Sequence, residues 1–123
     1  MFEISDIIRT AGEAAEGVIF AYPAFDPEKG GELTRTFSNK FKTKYGVLPD
    51  PEAAFSYDAL KILALAMEKG GGQSDGIKKA LYEIKDYQGV TGETTFDRNG
   101  DVLKPVGFKK VQNGRYIWFK FNR

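Results

Sequence analysis

The chain lacks two residue types that carry much of protein chemistry, because its 123 residues include no cysteine and no histidine. Without cysteine there is no disulfide, no thiolate nucleophile and no cysteine-ligated metal, so the redox compartment stays open. Without histidine the chain has neither the commonest general base nor the commonest zinc ligand, and a Ser-His-Asp triad is excluded. These absences weaken most enzymatic interpretations, and we expect no catalytic residues, no metal site and no cofactor.

The chain also lacks an excess of charge of either sign. Its 18 lysines and arginines nearly balance 17 aspartates and glutamates, which leaves a net charge of +1. A chain so balanced has no long-range field that would attract nucleic acid or an anionic membrane. Basic residues do occur near aromatic ones, at Lys109 and Trp118 for example, but the near-neutral balance favours a solvated face. We therefore expect no nucleic-acid partner.

Long apolar runs are absent as well, since none reaches the length of about 18 residues that crosses a bilayer. The first residues, from Met1 to Asp6, lack the basic start and the apolar run of a secretory signal. Three alternatives are left: a cytoplasmic chain, a chain from which a signal was removed, or a chain that begins inside a longer protein.

Helical periodicity is the strongest positive signal, and glycine and proline divide it into segments. Apolar spacing predicts a short helix over 3–11 that includes Ile4, and helices over 32–45, 52–69 and 75–86. We expect Asp50 to cap the helix over 52–69, with Pro51 at its first position. We expect Ser74 to cap the helix that follows.

Short strands are predicted before and after these helices. The apolar run 17–22 predicts a strand that is buried on both faces. Residues 87–91 and 93–96 predict short strands, followed by a tight turn from Asp97 to Asp101. That turn lacks the glycine and the final glutamate of a calcium loop, so we expect no metal there. Asn113-Gly114 predicts a C-terminal hairpin between 106–111 and 116–121, with Phe121 at its end.

The helix over 52–69 is apolar on most of its circumference, with a thin polar strip at Asp58, Lys61 and Glu68. Such a helix needs packing partners on more than one side. The predicted strands are too few and too short to cover it. We therefore predict that part of its cover is supplied by an absent part of a longer chain or by a second copy.

Aromatic residues near one strand end and one helix start form the candidate ligand site. Tyr22 and Phe25 lie at a strand end, where ligands of open α/β sheets bind. Phe55, Tyr57 and Asp58 lie in the first turns of the helix over 52–69. An amino-acid ligand needs a carboxylate or an aromatic face for its ammonium group and apolar walls for its side chain. For each aromatic residue, packing in the core is the alternative interpretation.

Three segments, in this order and spacing, resemble one protein family. The first is Ala11-Gly-Glu-Ala-Ala-Glu-Gly-Val18 with Tyr22-Pro-Ala-Phe-Asp26, the second runs from Phe37 through Lys44-Tyr45-Gly46 and Pro49-Asp50 to Tyr57-Asp58-Ala59, and the third runs from Gly89 to Asp101. Together with the terminal hairpin they span almost the whole chain. They are similar to the C-terminal part of type I periplasmic solute-binding proteins, of the branched-chain amino acid ABC transporter substrate-binding family.

The resemblance implies an α/β fold that is a fragment of a two-lobe periplasmic-binding-protein type I fold, with three main helices, short strands and a C-terminal β-hairpin. Residues of about 1–25 and 104–123 would belong to one lobe, and residues of about 26–103 to the other. The chain would then contain parts of both lobes and complete neither. In the family, the two lobes close over a ligand by a hinge motion.

The implied function is that of the ligand-binding component of an ABC importer for branched-chain or related amino acids, without catalysis. The implied ligand-binding positions lie near the crossover and the helix start: Tyr22, Ala54, Phe55 and Tyr57. Most ligand-gripping residues of the family lie upstream, so we do not expect this chain alone to bind an amino acid tightly. The alternative function is that of a small-molecule sensor or interaction domain of a regulatory protein.

The partners implied for the parent protein are an amino-acid-like ligand and an ABC permease, in a periplasmic or lipid-anchored extracellular setting. We expect no signal peptide in this chain itself. Its uncovered apolar helix predicts self-association, as a dimer that could form by exchange of elements between chains.

Overall fold

The computed structural model describes residues 5–120, with side chains from residue 8 onwards. Two positions of the sequence analysis, Ile4 in the first helix and Phe121 in the last strand, lie outside these residues. The chain divides into two units, one formed by Met1–Pro23 with Val106–Arg123 and the other by Ala24–Pro105. That the two units belong to different lobes, divided near residues 25 and 104, stays a prediction.

Four helices and six strands make up the described part of the chain. The helices are α1 (Ser5–Ala11), α2 (Glu32–Tyr45), α3 (Pro51–Gly70) and α4 (Ser74–Tyr82), and a 3₁₀ turn over Gly12–Ala15 follows α1. The strands are β1 (Ile19–Pro23), β2 (Tyr87–Gly89), β3 (Gly92–Phe96), β4 (Val102–Leu103), β5 (Val106–Gln112) and β6 (Arg115–Phe119). The α/β class, the three main helices, the short strands and the C-terminal hairpin are as predicted.

A three-stranded antiparallel sheet in the order β1-β5-β6 forms the first unit. Val111 on the central strand pairs with Tyr116 and is fully buried. Its carbonyl oxygen accepts a hydrogen bond of 3.0 Å from the Gly17 backbone N–H, which ties the 3₁₀ turn to the sheet. Asn113 and Gly114 have positive φ angles of 52° and 67°, as the two-residue turn between β5 and β6 requires.

Strand β1 is buried on one face only, so the prediction of burial on both faces is wrong. Tyr22 is buried, whereas Ile19 and Ala21 are exposed. The continuous apolar run resembled a parallel strand covered by helices on both sides. Here β1 pairs antiparallel with β5, and alternate side chains point to opposite faces, of which one is covered.

In the second unit, α4 packs along one side of α3. Ile62 and Ala66 of α3 form a cluster of buried side chains with Ala80 of α4 and with Ile84, which follows α4. The chain reverses tightly between the two helices, because a Cβ atom on Gly70 would lie 2.2 Å from the carbonyl oxygen of Gly76. Only glycine allows the two backbones to approach so closely.

One of the two predicted helix caps is confirmed and the other is wrong. The Asp50 carboxylate accepts a hydrogen bond of 2.8 Å from the Ala53 backbone N–H, and Pro51 is the first residue of α3. In α4, however, Ser74 is already helical, and the extended residue before it is Gln73, which makes no capping bond. A cap by Ser74 would place the first helical residue at position 75. Helix α4 instead begins at Ser74 itself, one residue earlier.

The second unit also contains the three-stranded antiparallel sheet β2-β3-β4. The predicted turn after β3 is present. The Asp97 carboxylate accepts hydrogen bonds from the backbone N–H groups of Asn99, at 2.8 Å, and Asp101, at 2.9 Å. This carboxylate therefore closes the turn that leads into β4.

Asp58 is buried, with only 2% of its surface exposed, so the predicted polar strip through this residue is wrong. Its carboxylate accepts hydrogen bonds of 2.8 Å from the backbone N–H groups of Val90 and Thr91, and a third from the Thr91 hydroxyl. On the other side of the same segment, the Val90 carbonyl accepts a hydrogen bond of 2.8 Å from the Thr34 hydroxyl. The carboxylate thus joins α3 to the segment between β2 and β3.

The side of α3 that faces away from α4 is exposed. Its large apolar side chains and their exposed fractions are Tyr57 (44%), Leu60 (67%), Leu63 (42%) and Met67 (46%). We refer to these four residues as the apolar stripe. The prediction that the described part of this chain does not cover α3 on every side is confirmed.

The two ends of the second unit lie next to each other. The Ala24 backbone N–H donates a hydrogen bond of 3.4 Å to the carbonyl oxygen of Pro105. Phe25 then enters the interior, where it packs in a buried cluster with Ala54 and Val90. The chain therefore enters and leaves this unit at one place.

Replacement of Gly89 by alanine tests the contact between α3 and the segment after β2. A Cβ atom at this position would lie 2.4 Å from the Asp58 carboxylate, so the carboxylate or the strand must move. We expect Gly89→Ala to lower the free energy of unfolding by about 1–3 kcal/mol, measured by urea denaturation.

Gly72→Ala is the matched control, because a Cβ atom on Gly72 meets no atom within 4 Å. We expect this variant to stay within about 0.5 kcal/mol of the parent. Equal stability of the two variants would contradict the close approach of Asp58 to Gly89.

Candidate functional site

A row of aromatic side chains lies where α2 meets the first half of α3. The ring centroids of Tyr57 and Phe37 are 4.9 Å apart, those of Phe37 and Phe41 are 5.8 Å apart, and those of Phe41 and Tyr45 are 4.6 Å apart. The three α2 residues are spaced four positions apart, which places them on one face of the helix. Tyr57 extends the row from α3. We call the surface along these four rings the aromatic groove.

The aromatic groove encloses a volume of about 650 Å³. This lies within the range of about 300–1,000 Å³ that is typical of small-molecule sites. Most of its wall is apolar, and the charged side chains that line it are those of Lys40 and Lys44. The groove therefore offers apolar walls and ring faces to a ligand, together with cations that suit a carboxylate. Its lining contains no acidic side chain that could receive an ammonium group.

The acidic group that the sequence places near this groove is not free to bind a ligand. All three hydrogen bonds that the Asp58 carboxylate accepts come from Val90 and Thr91, as described above. A buried carboxylate without such donors is strongly disfavoured, so these bonds are the condition for its burial. The geometry makes Asp58 a residue that holds the fold together.

Lys104 lies beside this buried carboxylate. Its Nζ atom donates a hydrogen bond of 2.6 Å to the Thr91 hydroxyl oxygen and lies 5.5 Å from the centroid of the Phe55 ring. Burial lowers the pKa of Lys104 below its usual value, and the negative charge of Asp58 partly opposes this shift. Burial also raises the pKa of Tyr87, and Asp58 and then Tyr57 add to that shift.

The four predicted ligand-binding residues do not form one wall. Tyr22 belongs to the first unit, where its ring packs against Trp118 at a centroid distance of 6.0 Å, with the Lys109 ammonium 3.9 Å from its centroid. Ala54 is fully buried in the cluster with Phe25 and Val90. On α3, Phe55 faces Lys104 and Tyr57 faces the aromatic groove. Only Phe55 and Tyr57 leave part of their rings accessible.

Sequence reasoning identified the aromatic row of α2 as a helical face but not as part of a surface feature. The four-residue spacing of Phe37, Phe41 and Tyr45 was visible, whereas their alignment with Tyr57 depends on how α2 and α3 pack. The position of Lys104 had no local signal at all. Its role depends on the fold, which places its ammonium group at the Thr91 hydroxyl.

Between residues 5 and 120, no group of three or more acidic side chains lies close enough together to hold a metal ion. No helix in that same range has the length and apolar character to cross a membrane.

Comparison with known proteins identifies the family. The sequence model of the family described as periplasmic binding protein matches residues 1–115. The chain belongs to the periplasmic binding protein family. As the resemblance implied, its relatives include proteins named for leucine, isoleucine and valine, which identifies the type I, branched-chain amino acid group.

Three relatives show how far the similarity extends. The Leu/Ile/Val-binding protein homolog 1 of Brucella abortus is 26% identical, over 94% of this chain and 32% of its own length. The structure of a leucine-binding protein, LivK, from Thermotoga maritima matches with a TM-score of 0.79 and 29% identity, over 94% of this chain and 33% of that one. The structure of LivJ from Streptococcus pneumoniae in complex with isoleucine has a TM-score of 0.76 and 28% identity, with the same coverage of 94% and 33%.

The chain therefore spans about a third of the length of the relatives that it matches. The fold is that of the corresponding part of a two-lobe type I periplasmic binding protein, as predicted. By name, these three relatives are binding proteins for branched-chain amino acids.

Removal of the Asp58 carboxylate tests its structural role. Asp58→Ala leaves two buried backbone N–H groups and one hydroxyl without their acceptor, so we expect the free energy of unfolding to fall by about 2–5 kcal/mol. Thermal or urea denaturation followed by circular dichroism measures this. Ser56→Ala, an exposed change on the same helix, should stay within about 0.5 kcal/mol of the parent. If the two variants are equally stable, the bonds of Asp58 do not hold the fold.

The lowered pKa of Lys104 predicts how stability depends on pH. Between that pKa and the unfolded value of about 10.4, the unfolded chain binds more protons than the folded chain, so this group makes stability rise with pH. We expect the stability difference, parent minus Lys104→Met, to grow as pH increases towards about 10. Urea denaturation at a series of pH values measures this difference.

Tyr87 provides the opposite sign in the same experiment. Its raised pKa means that the unfolded chain loses its phenolic proton first, so stability falls as pH rises past about 10. The difference between the parent and Tyr87→Phe should therefore shrink in that range. A flat difference for Lys104→Met would show that its ammonium is not desolvated in the folded chain.

Proposed function

We propose that this chain is the C-terminal fragment of the ligand-binding component of an ABC importer for branched-chain or related amino acids. The observation that carries the proposal is the similarity, over 94% of the chain, to structures of a leucine-binding protein and of an isoleucine-bound transporter protein. The absence of histidine and cysteine from the sequence agrees with a role in binding rather than catalysis. The parent protein would act in the periplasm, or as a lipid-anchored extracellular protein, and deliver its ligand to a permease.

Within the chain, Phe55 and Tyr57 are the best candidates for ligand contact. Both leave part of their ring accessible, so each can offer an apolar wall or a face for an ammonium group. The other two predicted positions, Tyr22 and Ala54, are buried within their own units and would act by shaping the surface. The difference between the accessible pair, Phe55 and Tyr57, and the buried pair, Tyr22 and Ala54, follows from the side-chain positions on β1 and α3.

The lining of the aromatic groove contains no acidic side chain that could receive the ammonium group of an amino acid. The Asp58 carboxylate already accepts hydrogen bonds from the backbone of Val90 and Thr91. The charged residues that line the aromatic groove are lysines. The remaining polar contacts to an amino acid must come from the other part of the longer protein. The isolated chain should therefore bind amino acids weakly, and we propose that in isolation it forms a dimer through its exposed apolar surface.

The test is a titration of the complete reading frame that contains these residues. Isothermal calorimetry with leucine, isoleucine and valine should show binding with a dissociation constant of about 1 μM or tighter. Phe55→Ala and Tyr57→Ala should weaken it by roughly 3–30-fold, because each removes an aromatic contact. Leu103→Ala, which changes an exposed apolar residue on β4, should leave the affinity unchanged.

Two results would contradict the proposal. One is an absence of heat with every amino acid tested, and the other is a reading frame that continues into a signalling output domain, which would instead support a sensor of a regulatory protein. The 123-residue chain alone provides the control for the incomplete site. Binding of an amino acid by that chain with a dissociation constant well below about 1 μM would show that its own residues suffice.

A further inference from the structure

The C-terminal half of α3 presents an apolar surface that the described part of its own chain leaves open. Leu60, Leu63 and Met67 of the apolar stripe are 67%, 42% and 46% exposed. Ala64 lies between them and is also exposed. These positions recur at the spacing of one helical face, opposite the face that packs on α4.

Two opposite charges flank this surface on one side. Lys61 and Glu68 are both exposed and lie about two helical turns apart, along the same edge of the stripe. At that distance along the helix they are too far apart to pair with each other. They are placed to pair with another helix that carries the opposite order of charges.

A second copy of α3, running in the opposite direction, has that order. When a two-fold axis relates two antiparallel helices, the same flank of each helix meets across the interface. Lys61 of one copy then lies opposite Glu68 of the other, and the symmetry repeats this contact a second time. In a parallel pair, the charged flank of one helix would instead meet the opposite flank of its partner, and these contacts would be lost.

We propose that the isolated chain forms a symmetric dimer in which α3 packs antiparallel against α3 of a second copy. The crossing point lies near Ala64, whose small side chain allows the two backbones to approach closely. Leu60 of one copy packs near Met67 of the other, and two pairs between Lys61 and Glu68 set the register. The charges provide orientation, and burial of the apolar stripe provides most of the affinity.

Size-exclusion chromatography with light scattering, followed by sedimentation equilibrium, tests the apolar contact. The unmodified 123-residue chain should be dimeric at micromolar concentrations. Leu60→Lys and Met67→Lys should each raise the dissociation constant at least about 30-fold, because each places a charge in the centre of the contact. Circular dichroism should stay native, since both side chains are already exposed in the single chain.

Val47→Lys is the matched control for an added lysine. Val47 follows α2, lies outside the apolar stripe and is 61% exposed. We expect it to change the dissociation constant by less than about threefold. If Val47→Lys dissociates the dimer as strongly as Leu60→Lys, the contact lies elsewhere and the proposal is wrong.

Charge exchange tests the antiparallel register. Lys61→Glu places two acids opposite each other in each of the two contacts, and Glu68→Lys places two lysines there. Each single variant should raise the dissociation constant by about 3–10-fold, whereas the double variant should return to the parent value. An equal mixture of the two single variants should form a mixed dimer, because each then supplies the charges that the other lacks.

Several outcomes would overturn this proposal, whatever the ligand titrations show. If the unmodified 123-residue chain is a monomer, the apolar stripe is covered only by another part of a longer polypeptide. A dimer that survives Leu60→Lys would point to exchange of elements between chains. A double charge variant that is weaker than both single variants would exclude the antiparallel register.

Discussion

A single buried carboxylate determines how the helices and strands of the second unit are joined. Asp58 projects from the middle of an apolar helix, where an uncompensated charge would be strongly destabilising. The backbone N–H groups of Val90 and Thr91 and the Thr91 hydroxyl compensate this charge. Gly89 leaves the space that the carboxylate needs. The segment between β2 and β3 is thereby held against α3, and Val90 is brought into the cluster with Phe25 and Ala54.

This arrangement also limits the chemistry that the unit has available for a ligand. The Asp58 carboxylate, which follows Tyr57 in the sequence, is used inside the fold, and Lys104 is held at Thr91 beside it. Accessible on the surface are the rings of Tyr57 and its neighbours on α2, together with two lysines of the aromatic groove. Such a surface offers apolar and aromatic contacts but few of the polar groups that give a small-molecule site its specificity. Under the proposed function, selectivity for an amino acid would require polar groups beyond those that line this groove.

The sequence was sufficient for the features that depend on local rules. The Asp50-Pro51 start of α3, the Asn113-Gly114 hairpin and the Asp97 turn each follow from the conformations that these residues favour. The Ser74 cap is the one local prediction among these that failed. The other failures share one cause, which is that they depend on contacts between distant residues. The inward direction of Asp58 depends on donors more than thirty positions away in the chain. Likewise, the ring of Tyr57 joins the groove only through the packing of α2. Whether one or both faces of β1 are covered also depends on what packs on the sheet, and not on its own apolar run.

The hydrogen bond between Ala24 and Pro105 has a consequence for how such a fold arises. In the first unit, Pro23 and Val106 are paired neighbours on β1 and β5, so the flanking ends there are adjacent as well. A whole unit is thus inserted between two adjacent strands, in the place where a short turn would be enough to connect them. Adjacent ends are the condition under which a domain can be gained, lost or exchanged without disturbing its host. Because the chain leaves β1 and returns to β5 at one pair of neighbouring residues, the body made of α2 to β4 imposes no change of register on these two strands.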